Sequence, residues 1–160
     1  MTIPSRLSSY LDQHGARYEV CVHAHSRSSP ETARTAHIPP GQLAKSVVLE
    51  DDNGDRVVAI VPGDKRVMLG ALSRLLDRHD LRLADERSIA ELFTDCEAGA
   101  VPALGMAWGV ETVVDDALEN SEVVYIEAGD HERLLKLSQE QFRALMRDAR
   151  HGHFCAERVH

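Results

Sequence analysis

Hydrophobic residues occur along the chain at two spacings, one typical of helices and one typical of strands. Near the N-terminus, apolar residues up to Leu11 fall at helical spacing, and Gly15 follows where a helix would end. The next segment, RYEVCVH, alternates between apolar and polar residues as a strand does. Ser29 can then cap a second helix, Pro30 suits its first turn, and the segment PPG at positions 39–41 ends it. The pattern therefore predicts a helix, a strand and a helix.

Two strongly apolar runs, Val47–Leu49 and Val57–Val61, flank the turn-forming pair Asn53-Gly54. Asparagine and glycine tolerate the positive φ angles of tight turns, so the segment predicts a β-hairpin. The second run is continuous rather than alternating, which is typical of a strand covered on both faces. We therefore expect that strand to be buried on both sides.

The remaining segments predict further strands and helices in a mixed order. Val67 and Met68 begin a stretch whose apolar residues share one face of a predicted helix. LRLAD predicts a short strand, ERSIAELF a short helix, and VETVVDD, EVVYIEA and ERLLKL three strands. Ser138 and Gln141 have the spacing of a capping box, which predicts the start of a last helix.

This order of elements predicts a mixed α/β fold. The strands outnumber those of a simple βαβ repeat, and hairpins mix with crossovers, which favours a curved, barrel-like mixed β-sheet with helices packed outside. We expect residues 1–150 to form a single domain. Residues 151–160 show no periodicity, so we expect them to form a flexible tail.

Composition and charge narrow the possible partners. The chain has 160 residues, 43% of them hydrophobic, and a formal net charge of −8. No stretch approaches the roughly 20 apolar residues of a membrane span, and no apolar signal-peptide core is present. We therefore expect a cytoplasmic protein with no membrane partner. The acidic balance also argues against nonspecific binding to DNA or another polyanion, and a solvated helix face is the favoured interpretation of the basic residues between Lys65 and Arg82.

The cysteine and histidine residues do not predict a metal site. The three cysteines are scattered without CxxC spacing, which argues against a disulfide framework and a zinc ribbon. In the tail, His151, His153, Cys155 and His160 superficially resemble metal ligands, but their spacing matches no closed zinc pattern. We expect no metal and no cofactor.

Lys45 is the first candidate for chemistry, because it stands at the start of a predicted buried strand. One interpretation is that its ammonium group reaches solvent along its own alkyl stem. The other is a partly desolvated cation that is directed into a pocket and meets a carbonyl, carboxylate or phosphate group. The residues alone leave both interpretations open.

Two loops are further candidates. In CEAGAVPALG, Gly99 and Ala100 allow backbone N–H groups to approach a ligand, and Pro102 stiffens the loop, although an ordinary surface turn has the same composition. In AGDHE, Gly129-Asp130 is typical of a turn, and His131 follows at a strand junction, where a structural histidine is also common.

The segments LAKSVVLEDDNGDRVVAIVPGDKRV, CEAGAVPALG and VYIEAGDHERLLKLSQEQFRAL together resemble the YbaK and prolyl-tRNA synthetase editing-domain family. The resemblance runs from about Ser28 to Leu145 and implies a YbaK-like fold. Lys45 matches the family's characteristic lysine. The first loop matches the family's GxxxP-type loop, here one residue shorter or shifted in register, and the second loop matches its GDH turn. The matching residues are Gly99, Ala100, Val101, Pro102, Asp130 and His131.

The resemblance implies a trans-editing aminoacyl-tRNA deacylase, which hydrolyses the ester of mischarged tRNA carrying a small amino acid such as Ala, Ser, Cys or Thr. The implied catalytic residue is Lys45, and the implied substrate-binding residues are those of the two loops. The implied partners are the acceptor end of mischarged tRNA and an aminoacyl-tRNA synthetase. A noncatalytic module that binds a tRNA end or a small ligand on the same fold is the alternative.

Overall fold

A computed structural model gives the structure of this protein, and residues 3–157 are described. The helices of this range are α1 (Ser5–Gln13), α2 (Ser29–Ala36), α3 (Leu69–Leu76), α4 (Glu86–Leu92), α5 (Asp116–Glu119) and α6 (Gln139–Leu145), with 3-10 turns at Pro40–Gln42 and Gly105–Trp108. The strands are β1 (Glu19–Val22), β2 (Leu43–Glu50), β3 (Arg56–Pro62), β4 (Lys65–Val67), β5 (Arg82–Leu83), β6 (Glu111–Asp115), β7 (Val123–Glu127), β8 (Arg133–Ser138), β9 (Arg150–Gly152) and β10 (Cys155–Glu157).

Eight of the strands form one mixed sheet, which confirms the predicted α/β class. The order across the sheet is β1-β8-β7-β2-β3-β6-β9, and β5 adds to the C-terminal end of β2. The pairs β2–β7, β3–β6 and β6–β9 are parallel, and the other pairs of this sheet are antiparallel. Within the described range the path of hydrogen-bonded strands runs from β1 to β9 without closing into a barrel. The remaining strands, β4 and β10, form a separate antiparallel pair.

The hairpin of β2 and β3 lies at the centre of this order, and its register runs from Ala44 opposite Pro62 to Glu50 opposite Arg56. Asp51 stabilises the turn, because its carboxylate accepts the backbone N–H groups of Asn53 and Asp55. Every residue from 57 to 61 is fully buried, as the continuous apolar run predicts.

The sheet separates two hydrophobic clusters, which correspond to the two faces of the hairpin. One cluster contains Val58 and Ile60 of β3 and is covered by α1, α6 and the 3-10 turn before β6. The other contains Val57, Ala59 and Val61, and α3 covers it. Because side chains alternate along a strand, the even-numbered residues of β2 face the first cluster and the odd-numbered residues face away from it.

The strands β2 and β7 run in parallel for only two residue pairs, Leu43 with Tyr125 and Ala44 with Ile126. Further along, β2 pairs instead with β5, at Leu49 and Glu50. The next residues after the parallel pairs are Lys45 on β2 and Glu127 at the end of β7. The parallel pairing of β2 with β7 therefore ends just before these two charged residues, which stay paired with β3 and β8 respectively.

Three local predictions need correction. The N-cap of α2 is Ser28 rather than Ser29, since the Ser28 hydroxyl accepts the backbone N–H of Glu31. Val67 belongs to β4 and Met68 is the N-cap of α3, so neither lies on the helix face where the periodicity places them. By contrast, Ser138 caps α6 as predicted, and its hydroxyl accepts the backbone N–H of Gln141.

Residues 151–157 differ from the flexible tail that the sequence suggests, because β9 extends the main sheet and β10 pairs with β4. Phe154, between these strands, is fully buried in the second cluster. One oxygen of Asp115 accepts the backbone N–H groups of both Phe154 and Cys155, which fixes this segment against β6. Residues 158–160, including His160, lie outside the described residues.

No helix between residues 3 and 157 has the length and apolarity that a membrane crossing requires.

Candidate active site

The turn that joins β7 to β8 brings Asp130 and His131 together at the end of the sheet. The Asp130 carboxylate accepts the backbone N–H groups of Glu132 (3.0 Å) and Arg133 (2.9 Å), and its other oxygen lies 3.3 Å from the Arg133 guanidinium. Both oxygens of Asp130 are thus used within the turn. His131 has a φ of 58°, a conformation that a non-glycine residue adopts only when its surroundings impose it. Asp130 therefore positions His131.

The hydrogen bond of His131 defines its tautomer. Its Nε2 lies 2.6 Å from the carbonyl oxygen of Ala98, in the loop that follows α4. A carbonyl oxygen only accepts, so Nε2 carries the proton, and in the neutral ring Nδ1 presents a lone pair. His131 is 3% exposed, and its Nδ1 has no hydrogen-bond partner among the described residues. This turn therefore holds a buried acceptor with no partner.

The loop of Gly99 lies directly against this histidine. The Glu97 N–H donates to the Gly129 carbonyl at 2.8 Å, which fixes the loop on the turn. Gly99 has a φ of 80°, and a side-chain carbon at this position would lie 3.3 Å from Nε2 of His131. The Ala100 N–H is already donated to the Glu97 carbonyl, so the candidate amide donors of this loop are those of Gly99 and Val101. Pro102, like Ala100 and Val101, is buried.

The segment between β1 and α2 closes the other side of the site. The Ser26 N–H donates to the His131 carbonyl at 3.2 Å, and the Ser26 hydroxyl is hydrogen-bonded to that of Thr32 on α2. The His25 ring packs edge-on against the His131 ring at 5.9 Å, and its Nε2 lies 3.4 Å from the Glu97 carboxylate. The sequence did not single out Ser26, Thr32 or Glu97 as site residues, because their contacts with His131 and with each other depend on the tertiary fold.

Glu127 is the other residue of this site that sequence reasoning missed. Its side chain lies at the end of β7, 4% exposed, and neither of its oxygens has a hydrogen-bond partner within residues 3–157. Burial raises the pKa of the Glu127 carboxyl to about 8, the Thr32 hydroxyl lowers it in part, and the negative charge of Asp130 raises it further. Burial therefore favours the neutral form of this carboxyl group.

Lys45 stands beside this group in the strand order but contacts a different element. Its ammonium donates to the Lys65 carbonyl of β4 at 2.7 Å. By strand alternation, Lys45 lies on the same face of β2 as Val47 and Leu49, whereas Val101 of the loop packs in the cluster on the opposite face. The structure thus brings the Gly99 loop and the GDH turn into direct contact, and Lys45 adjoins them through the strand register with Glu127.

An apolar cavity of about 220 Å³ lies on the α4 side of the same loop. Ile89 and Ala90 of α4 and Phe93 at its C-terminal end form one wall, and the loop from Cys96 to Gly99 with Val101 forms the other. Trp108 lies behind Phe93, edge-on at 5.3 Å, and its indole N–H donates to Asp95. Gly99 therefore separates a polar cluster on one side from an apolar cavity on the other.

Two groups of possible metal ligands occur elsewhere in the described part of the chain: Asp115, His153 and Cys155, and Asp116, Glu119 and His151. The oxygens of Asp115 already accept three backbone N–H groups. Burial and a hydrogen bond to Asp115 raise the pKa of the Cys155 thiol to about 12, whereas a metal requires the thiolate. In the second group, the His151 ring is hydrogen-bonded to the Glu119 carboxylate. These contacts account for the positions of Asp115, Cys155 and His151, and we assign no metal to either group.

The amino-acid sequence is similar to those of known proteins. A family model described as an aminoacyl-tRNA editing domain matches residues 23–145. A proline–tRNA ligase of Lactobacillus delbrueckii subsp. bulgaricus is 29% identical over 103 residues, which are 64% of this chain and 18% of the ligase. The chain therefore spans less than a fifth of the length of this curated relative.

Solved structures share the fold. The crystal structure of a proposed trans-editing enzyme for prolyl-tRNA synthetase has a TM-score of 0.81 at 24% identity and covers 99% of this chain and 100% of that one. The crystal structure of a hypothetical protein has a TM-score of 0.83 at 21% identity and covers 95% of this chain and 100% of that one. At these identities the likeness is one of fold.

Proposed function

This chain belongs to the aminoacyl-tRNA editing domain family, and on that premise we propose that it is a trans-editing aminoacyl-tRNA deacylase. The observation that carries the proposal is the contact between the Gly99 loop and His131, whose buried Nδ1 lacks a partner in the described range. The substrate is the ester that joins an amino acid to the terminal ribose of tRNA. The products are the free amino acid and a tRNA with a free ribose hydroxyl.

An aminoacyl ester is already activated, so a positioned water and modest electrostatic stabilisation suffice for its hydrolysis. The lone pair on Nδ1 of His131 accepts a hydrogen bond from the attacking water or from the neighbouring ribose hydroxyl. The N–H groups of Gly99 and Val101 stabilise the negative charge that develops on the carbonyl oxygen. The ribose oxygen leaves with the proton that the water gives up, so no covalent enzyme intermediate is needed.

Lys45 supplies the fixed positive charge of the site in this proposal. Lys45 and Glu127 are the first residues after the parallel pairs of β2 with β7, so the two charged side chains belong to adjacent strands at the same level of the sheet. The Lys45 ammonium donates to the Lys65 carbonyl, which fixes its position beside the end of β7. The proposed role of Lys45 is to hold the substrate's carbonyl or the terminal phosphate and to stabilise the transition state electrostatically.

Small amino acids such as Ala, Ser, Cys and Thr are the proposed substrates, because steric exclusion of larger side chains discriminates better than one added methylene, which is worth about 1–3 kcal/mol. The proposed partner is the acceptor end of tRNA, since a net charge of −8 disfavours a large contact with RNA. A synthetase that delivers the tRNA is the second proposed partner.

A noncatalytic module that binds a tRNA end is the second candidate. It is favoured by two occupied donors, the Ala100 N–H on the Glu97 carbonyl and the Lys45 ammonium on the Lys65 carbonyl. Both contacts are also what a purely structural role would produce.

A deacylation panel separates the two candidates. Wild type, Lys45→Met and the matched control Lys136→Met, a lysine on β8, are incubated with tRNAs mischarged with Ala, Ser, Cys or Thr. The enzyme proposal predicts release well above the spontaneous rate, a loss of about 10²–10³-fold in Lys45→Met, and wild-type turnover in the control. If wild type binds these tRNAs and releases no amino acid from any of them, the binding module is the correct function. Thermal melts of each variant show whether the Lys45–Lys65 contact matters for folding alone.

A further inference from the structure

Glu127 is a buried carboxyl group that neither the packing nor the proposed hydrolysis explains. A buried carboxylate is normally paired with a cation or with several N–H donors, because burial disfavours its charge. Neither oxygen of Glu127 has such a partner among the residues described. Asp130 does not explain the group either, since it has the same charge sign and its own oxygens are used within the turn.

The elements beside Glu127 contribute hydroxyl groups, hydrogen-bond acceptors and one ammonium group. From α2, the Thr32 hydroxyl approaches it but is hydrogen-bonded to Ser26. From the turn come Asp130 and the lone pair on Nδ1 of His131, and Lys45 follows next along β2. His23 contacts Thr35 of the same helix, its Nδ1 is directed at the Ala24 carbonyl, and its Nε2 has no hydrogen-bond partner within residues 3–157. Among the described residues, no donor is therefore placed in hydrogen-bond geometry to either oxygen of Glu127.

We propose that the Glu127 carboxylate binds the α-ammonium group of the aminoacyl ester. This inference rests on the proposed function for the nature of the ligand. An ammonium group supplies a positive charge and N–H donors, which a buried carboxylate without hydrogen-bond partners requires. In the substrate, the α-nitrogen is separated from the ester carbonyl carbon by one carbon atom, and in the protein Glu127 is separated from His131 by a single tight turn. The same short segment can thus hold the amino group and the water that attacks beside it.

This assignment defines a class of substrate. Esters with a free amino group satisfy Glu127, whereas an N-acylated ester brings an amide without positive charge and leaves the carboxyl group unpaired. The site would therefore accept aminoacyl-tRNA and reject N-formylated or peptidyl-tRNA. The selection is by charge, so it is independent of the size of the amino-acid side chain.

The test uses a ligand that cannot be hydrolysed. Calorimetry measures the binding of 3'-alanylamino-3'-deoxyadenosine and of its N-acetyl derivative to wild type, to Glu127→Gln and to the surface control Glu122→Gln. We expect wild type and the control to prefer the free amine by about 10-fold or more, and Glu127→Gln to bind both probes within about 2-fold. Wild type should also release protons on binding the free amine at pH 7, measured in buffers of different ionisation enthalpy, and Glu127→Gln should not.

The outcome is separable from that of the deacylation panel, because the probe is an amide and its binding does not require turnover. A preference for the free amine that Glu127→Gln abolishes supports the inference even where no ester is cleaved. An equal preference in wild type and Glu127→Gln overturns it, and so does the absence of binding of either probe to wild type. A thermal melt at pH 7 checks that Glu127→Gln is folded.

Discussion

Replacement of Glu127 by glutamine should remove much of the pH dependence of this protein's stability. The pKa of the Glu127 carboxyl is raised from 4.5 to about 8 by burial. A group whose pKa is higher in the folded than in the unfolded state stabilises the fold fully below the unfolded pKa, and this contribution is lost as the pH rises through the folded pKa. Wild type should therefore lose stability between about pH 4.5 and 8.

The size of the effect follows from the same shift. One pKa unit corresponds to 1.36 kcal/mol, so the full difference in the free energy of unfolding is about 5 kcal/mol. Between pH 5.5 and pH 8 the expected loss is about 3 kcal/mol, which for a domain of this size lowers the melting temperature by about 6–12 °C. Glutamine has nearly the same shape and cannot ionise, so this contribution is absent from Glu127→Gln.

Thermal or urea melts of wild type, Glu127→Gln and Glu122→Gln at half-unit steps from pH 5.5 to 8.5 measure this difference directly. All other titratable groups, including the nine histidines, are common to the three proteins, so their contributions cancel in the comparison. Glu122→Gln should follow wild type, and Glu127→Gln should become progressively more stable than either as the pH rises. Parallel curves for wild type and Glu127→Gln would refute the assignment of a buried, uncompensated carboxyl group.

Three further substitutions test other parts of the structure. Gly99→Ala should lower stability by about 1–2 kcal/mol and reduce deacylation about tenfold or more. The reasons are that a φ of 80° disfavours alanine and that the new carbon would lie 3.3 Å from Nε2 of His131. Full activity would show that the loop does not need this close approach. Phe154→Ala should cost about 3–5 kcal/mol in urea melts, since the ring is fully buried, and a cost below 1 kcal/mol would mean that the last strands are loosely attached. Ser138→Ala should cost about 1 kcal/mol through loss of the α6 cap, whereas Ser138→Asp should keep most of the stability, and equal melts for all three proteins would contradict the cap.

The central hairpin was predictable from sequence because its signals are local. Asn53-Gly54 specifies the turn, and the apolar run of β3 reports burial on both faces. The capping serine of α6 is also read from neighbouring residues. In each case the residues that determine the structure lie within a few positions of one another, so no knowledge of the tertiary fold is needed.

The strands after residue 150 and the role of Glu127 were not predictable in the same way. β10 pairs with β4, and the pairing depends on residues about ninety positions apart. In EVVYIEA, Val124 and Ile126 face the first cluster, so alternation turns Glu127 to the other face, where a charged residue suggests solvent. That face is covered by α2, which the chain completes long before β7. The sequence marks Lys45 as a charged residue at the start of a buried strand, but its contact with the Lys65 carbonyl follows only from the three-dimensional arrangement.

The attachment of Phe154 and Cys155 to Asp115 has a practical consequence for anyone who transfers this domain between proteins. A fragment that ends at residue 145, where the family similarity stops, would retain every candidate catalytic group. It would lose Phe154, the phenylalanine buried in the second hydrophobic cluster. Asp115 would then hold a buried carboxylate with two of its amide ligands removed. A fragment that is to fold like this domain must therefore extend through Glu157, twelve residues beyond the end of the family similarity.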